Sequence, residues 1–405
     1  MMSFKEKIFL FFALLYIIVM TFPLFADLTG LYLPVMCIMV TIVCVALYPT
    51  AMYNKLTGWM TAYMSVLLIY AIAGKPITIT GVGGNLSVFK TLLIEAAYYL
   101  PNVAIFSVMI YVGKQKTYNY IFFGALISLT ASFIYCIDLL YDNPNILRQN
   151  ESLNISDSFR ILGTPSYTLM HAYILLLPVI MFAIRKTSKP ISLVLFLFMA
   201  IVVYMIVHTY ITTTILLTIA LLLFFIIYHN NKPFLSISIT IGALLVFILL
   251  GGFDLLGLLM PSLENFFSET AVEAKLGDLN RMSGGESYLS GRESLHNISW
   301  NSFLISPFVG YPKVGGHSSL LDRLGGMGIF CFVPYIMILI TSAKKTVQLL
   351  KDSQSRVFYY ICFMSVLVLL YEKGVFNYEG WCFFLVLVPC GLLCFSAPHI
   401  EFEKK

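Results

Sequence analysis

A handful of polar residues in this chain have types and spacings suited to chemistry. His317 closes the segment FVGYPKVGGH and stands directly before Ser318, which is placed to cap a helix. An imidazole ionises near neutral pH and can serve as an acid or a base. The plainer reading is an interfacial histidine beside a helix start. Arginine is scarce, seven residues against eighteen lysines. Arg160, Arg281 and Arg292 all lie in hydrophilic stretches. A guanidinium fork suits planar, bidentate binding of an anion such as a diphosphate, although each arginine taken alone also reads as ordinary surface charge. Glu95 lies inside the apolar run LLIEAAYYLP. An intramembrane carboxylate is a functional-site candidate by default, with a bond to a nearby tyrosine or protonation as the structural alternatives. His171 and His208 sit near the ends of apolar runs and read as structural. No DxD and no Walker A motif occurs, and no Cys/His cluster has zinc spacing. No metal and no cofactor is therefore expected. The eight cysteines lie in or beside apolar runs and read as small buried hydrophobes.

The elements that must position these residues follow from composition. The 405 residues are 59% hydrophobic and 15% aromatic with 11% charged, and the mean hydropathy is +0.88. A soluble domain averages roughly 25% charged residues. Soluble enzymes, disordered chains and nucleic-acid binders are excluded, and a polytopic, all-α membrane protein remains. Twelve segments approach the length needed to cross about 30 Å of hydrocarbon: 8–25, 30–48, 56–73, 92–112, 119–141, 166–184, 190–207, 210–228, 233–257, 318–341, 356–373 and 379–397. The opening MMSFKEKI and the run after it read as the first of these rather than as a signal peptide. The division of 190–228 rests only on His208, Thr209 and Tyr210. With both termini in the cytoplasm, inner loops collect 15 of the 25 basic residues and only Glu6, Asp352, Glu401 and Glu403 among the acids. That bias obeys the positive-inside rule. The whole chain, 1–405, reads as one membrane domain.

Two outer loops are longer than connection requires, 142–165 and about 258–317. In the second, SGRESLHNISWNSFLISP reads as a helix with Leu295, Ile298 and Phe303 on one stripe and Pro307 beyond its end. The following FVGYPKVGGH reads as a tight loop. His317 and Gly328 are eleven residues apart, which on a continuous helix returns them to one face. Gly325 and Gly326 offer close approach to a neighbour. Asp322, about 140° round such a helix from His317, has no evident role in orienting it.

The stretch SGRESLHNISWNSFLISPFVGYPKVGGHSSLLDRLGGMGIF resembles the signature region of bacterial O-antigen and capsular polysaccharide polymerases (the Wzy family), which share a superfamily with the O-antigen ligases. Arg292, Pro307, Gly310, the run GGHSSLLD and Gly328 carry the likeness, together with Arg160 in RILGTPS before a span. The stretch HTYITTTILL lacks the arginine that many members carry there, a contact Arg281 could replace. The resemblance implies a GT-C-like fold with about twelve transmembrane helices in the bacterial inner membrane and a site facing outward. It implies an inverting glycosyl transfer between undecaprenyl-diphosphate-linked oligosaccharides. In that reading Arg160 and Arg292, with Arg281, hold the donor diphosphate, and His317 is the general base. A chain-length regulator and a flippase would be partners, and membrane lipid the medium. The same resemblance leaves a ligase acting on lipid A-core as the alternative, with a lipid-linked oligosaccharide flippase as a reading of a different class.

Overall fold

A computed structural model describes residues 2–29, 33–75, 88–142, 146, 167–207, 212–228, 290–372 and 378–396. They form helices and connecting turns with no strand among them. In chain order the helices are α1 (Phe4–Thr21), α2 (Pro23–Thr29), α3 (Leu33–Leu47), α4 (Lys55–Ile72), α5 (Val88–Val112), α6 (Gln115–Asp142), α7 (Tyr167–Lys186), α8 (Lys189–Val207), α9 (Thr212–Ile227), α10 (Ser290–Ile305), α11 (Ser319–Leu349), α12 (Ser353–Glu372), α13 (Tyr378–Cys382) and α14 (Val388–Ser396). A π-helical turn, Phe383–Leu387, joins the last two. Among the described residues, eight helices are long and apolar enough to cross a membrane, and α3 and the α9 stretch are shorter apolar helices. The expected span 233–257 lies outside the described residues. The doubtful run 190–228 does divide: α8 and α9 are separate helices that pack on each other and on α7.

The bundle has a centre and a rim. α7 and the α13–α14 segment are central, with 83% and 78% of their spans buried, whereas α4 and α8 are peripheral at 28% and 33%. A helix that is apolar all round can occupy either place; neighbours decide. α7 touches α8, α9, α12 and α14, so nearly every side chain from Leu169 to Ala183 is enclosed. The rim turns Ile127, Ile134, Leu193, Val194, Leu197 and Ile226 outward. Seven of the eight cysteines are buried, Cys394 is partly so, and none forms a disulfide.

The basic loops converge on one end of the bundle. Ser3 and Glu6 form a capping box at the start of α1, and Glu6 also pairs with Lys114 in the α5–α6 turn. Gln115 Nε2 donates to the Leu393 and Cys394 carbonyls near the end of α14 (3.1 and 3.2 Å). Lys186 Nζ meets Asp352 at 3.0 Å, tying α7 to α12, and Arg185 Nη2 donates to the Phe225 carbonyl of α9 at 2.6 Å. Each of these contacts joins the end of one helix to a neighbour's end at the same level.

One ion pair lies deep between helices. Arg323 of α11 meets Glu95 of α5 through both carboxylate oxygens, Nη1–Oε2 at 3.0 Å and Nη2–Oε1 at 2.9 Å. Tyr63 of α4 joins it: its hydroxyl donates to Glu95 Oε2 and accepts from Arg323 Nη1, both at 2.6 Å. Tyr335 places its ring 4.7 Å from the guanidinium carbon, and Tyr99 and Trp381 pack beyond. Arg323 is thus a core residue. A lone charge here would face a large desolvation penalty, so each charge is tolerated only with its partner.

Removing one side of that pair should cost about 3–5 kcal/mol. Glu95→Ala and Arg323→Ala should each lower the melting temperature in detergent, and the double variant should lose less than the sum of the two. Strict additivity would show that the contact carries no coupling.

Candidate functional site

The site is assembled at the end of the bundle opposite the basic loops, by α10, the loop 306–318 and the first half of α11. α10 forms as expected and ends at Ile305, ahead of Pro307. Its closest packing face differs from the expected stripe. Leu295, Ile298 and Phe303 are half-buried, while Ser299 and Ser302 are fully buried against α11 and the loop. Small side chains win there because backbones touch: a Cβ on Gly325 would overlap the Ser299 carbonyl, and one on Gly315 the Leu295 carbonyl. Gly325 does allow the close approach read from the sequence, with α10 as the neighbour.

α11 is not continuous, which corrects the expected shared face of His317 and Gly328. His317 precedes the cap residue Ser318 and lies outside the helix. Gly328 has φ +69° and ψ −178°, and the helix breaks there. In an unbroken helix the Ile329 and Phe330 amides would bond the Gly325 and Gly326 carbonyls. Here they donate to Pro307 O (2.9 Å) and Phe308 O (3.2 Å), and the Gly325 carbonyl accepts from Tyr311 N (2.8 Å). The loop thus inserts into the break and satisfies the backbone groups it frees, as an apolar setting requires. Tyr70 of α4 adds a bond from its hydroxyl to the Met327 carbonyl at 2.9 Å. A Cβ on Gly328 would strike the Phe308 backbone, and its positive φ disfavours any side chain.

Asp322 governs the loop, contrary to the angular argument that set it apart from His317. Its Oδ1 accepts from Gly316 N (3.3 Å) and from the Ser299 hydroxyl, and its Oδ2 accepts from Ser318 N (3.2 Å). The two peptide N–H groups flanking the His317 position are therefore held by one buried carboxylate. Ser299 in turn accepts from Gly315 N (2.9 Å), and Ser302 donates to the Lys313 carbonyl. Ser318 caps α11 by accepting from Leu321 N at 3.2 Å. The His317 side chain is exposed at the top of this frame. The clue in the sequence was the spacing Ser318-x-x-x-Asp322, a carboxylate one turn into a helix and able to reach back past its cap.

Arg292 lies in the first turn of α10, one turn before Leu295, against which the Gly315 backbone rests. The structure thus brings the backbone bearing Arg292 and the loop bearing His317 together. Arg160, Arg281 and His208 lie outside the described residues. His171 is buried in α7. Lys75, at the far end of α4 near Tyr70, was not singled out from the sequence. Its Nζ is buried, has no hydrogen-bond partner among the described residues, and sits 4.3 Å from the Tyr70 ring centroid. Burial holds its ammonium below the usual lysine pKa. Among the described residues no group of three His, Cys, Asp or Glu is placed to hold a metal.

Asp322→Ala should free the two flanking amides. Hydrogen exchange at Gly316 and Ser318 should accelerate by at least about tenfold, since a bond to a charged group is worth roughly 1.5–3 kcal/mol. Unchanged exchange would detach Asp322 from the loop. Gly325→Ala should destabilise the fold by about 1–3 kcal/mol through overlap with α10, measured as a lower melting temperature.

No family model matches this chain, and no curated protein matches it.

Proposed function

We propose that this protein is a membrane glycosyltransferase of the polysaccharide-polymerase type, with about twelve spans in a GT-C-like arrangement. It would join oligosaccharide repeat units carried on undecaprenyl diphosphate at the outer face of a bacterial plasma membrane. The observation that carries this reading is the frame around His317. A buried carboxylate pins the peptides on both sides of an exposed imidazole, at the end of the bundle away from the basic loops, beside the helix turn that bears Arg292. By the positive-inside rule the basic end faces the cytoplasm, so this frame faces outward.

In the proposed reaction His317 takes the proton from the acceptor sugar hydroxyl as its oxygen attacks the anomeric carbon of the donor. The bond from that carbon to the lipid diphosphate breaks, the electron pair leaves with the diphosphate, and the anomeric configuration inverts. Arg160 and Arg292, with Arg281, neutralise the developing charge. Lys75 is a further candidate for that anion, because a buried ammonium with no hydrogen-bond partner among the described residues gains most from one. Guanidinium and ammonium groups would then stand where other enzymes use a divalent cation. Glu95 and Arg323, buried between the described spans, neutralise each other, and buried Asp322 is taken up by the loop amides and Ser299. That favours chemistry at the surface over translocation of a charged lipid through the bundle.

The test is complementation of cells lacking the native gene, with glycan length read on a gel and membrane expression confirmed. Wild type should restore a long ladder. His317→Ala should leave single repeats, as loss of a general base costs about 10²–10⁴ in rate. Lys75→Ala should shorten the ladder and Lys75→Arg should largely restore it. Long chains from His317→Ala would remove it as the base. Free long chains that never reach lipid A in cells lacking the gene would indicate the ligase. Absence of outward-facing single repeats in those cells would indicate the flippase.

A further inference from the structure

The basic end of the bundle holds a second feature, unrelated to the His317 frame. The start of α4 and the last turns of α11 leave an open groove of about 740 Å³ between them. Three lysines line it: Lys55 in the first turn of α4, and Lys344 and Lys345 on α11. Lys55 and Lys344 are exposed and Lys345 is half-buried. Among the described residues the acids at this end are engaged elsewhere, Glu6 with Lys114 and Asp352 with Lys186. Among the described residues none of the three lysines has a carboxylate partner within salt-bridge distance. Three like charges facing one groove repel one another unless an anion joins them.

The groove is amphiphilic along its length. Ala62 lies two turns beyond Lys55, and Met337 lies two turns before Lys344, so both contribute apolar wall roughly 10 Å toward the middle of the bundle. Trp59 stands between these levels on the α4 side, a residue type that settles at the headgroup boundary. A free phosphate would use only the charged mouth. A phospholipid would use the mouth and the wall together.

We propose that this groove binds an anionic phospholipid, its phosphate headgroup among Lys55, Lys344 and Lys345 and one acyl chain along Ala62, Met337 and Ile340. Basic recesses between helices on the cytoplasmic side are suited to such headgroups, each lysine near the surface contributing modestly and several together strongly.

The test uses the full chain purified in neutral detergent. It is titrated with dioleoyl phosphatidylglycerol or dioleoyl phosphatidylcholine, and retained lipid is counted by native mass spectrometry. Wild type should retain phosphatidylglycerol in preference to phosphatidylcholine. The variant K55Q/K344Q/K345Q should lose that preference, weakening phosphatidylglycerol binding on the order of 100-fold. The variant K55R/K344R/K345R should keep it. So should K116Q/K351Q, which removes charge from exposed lysines of the same end outside the groove. Equal retention by wild type and the triple Gln variant would overturn the proposal. Equal loss in K116Q/K351Q would also overturn it, by showing diffuse surface attraction. Displacement of the lipid by equimolar inorganic phosphate would replace it with a free-phosphate site. Circular dichroism of each variant confirms the fold, and no readout depends on glycan synthesis.

Discussion

A helix that breaks in an apolar setting must find new partners for every amide and carbonyl it releases. That requirement organises the half of the bundle that carries His317. At Gly328 the chain leaves helical geometry, and residues 307–311 supply the missing bonds. The exchange fixes the loop to α11 by backbone contacts that demand glycine at Gly310 and Gly328, as contact with the α10 backbone does at Gly325. Close approach then leaves room only for Ser299 and Ser302 on the facing side of α10. Helix, loop and broken helix form one unit because none of them can satisfy its polar groups alone.

Two adjacent residues divide the labour of holding that unit. Asp322 turns toward the loop and gathers the amides of Gly316 and Ser318 with the Ser299 hydroxyl. Arg323 turns the other way and locks to Glu95 and Tyr63. The first contact sets the frame around His317, and the second seats that frame on α4 and α5. Neither charge lies free in the apolar interior. The opposite end is built differently, with ion pairs and carbonyl contacts at helix ends and a groove whose lysines have no carboxylate partner among the described residues.

Much of this was readable from composition and period. The all-helical bundle, the basic bias of one end, the cap at Ser318, the extent of α10 and the buried cysteines follow from hydropathy, charge and helix-end chemistry. What escaped is long-range. Nothing local to LLIEAAYYLP says that its glutamate meets an arginine 228 positions later, although the chain offers few cations at matching depth. The break at Gly328 escaped because the glycines of LGGMGIF also suit plain close packing. The role of Asp322 is hidden for a related reason: an angular offset from His317 has meaning only on a continuous helix, and His317 lies outside α11.

The burial of the cysteines has a practical consequence. All eight thiols belong to described residues, seven are enclosed, and Cys394 is only partly open. The native protein is thus nearly silent to water-soluble alkylating reagents. A single exposed position, Trp300→Cys on α10 or Lys351→Cys at the basic end, would supply a dominant reactive thiol without a cysteine-free background. Sidedness in intact cells then becomes a matter of which of two positions an impermeant maleimide modifies.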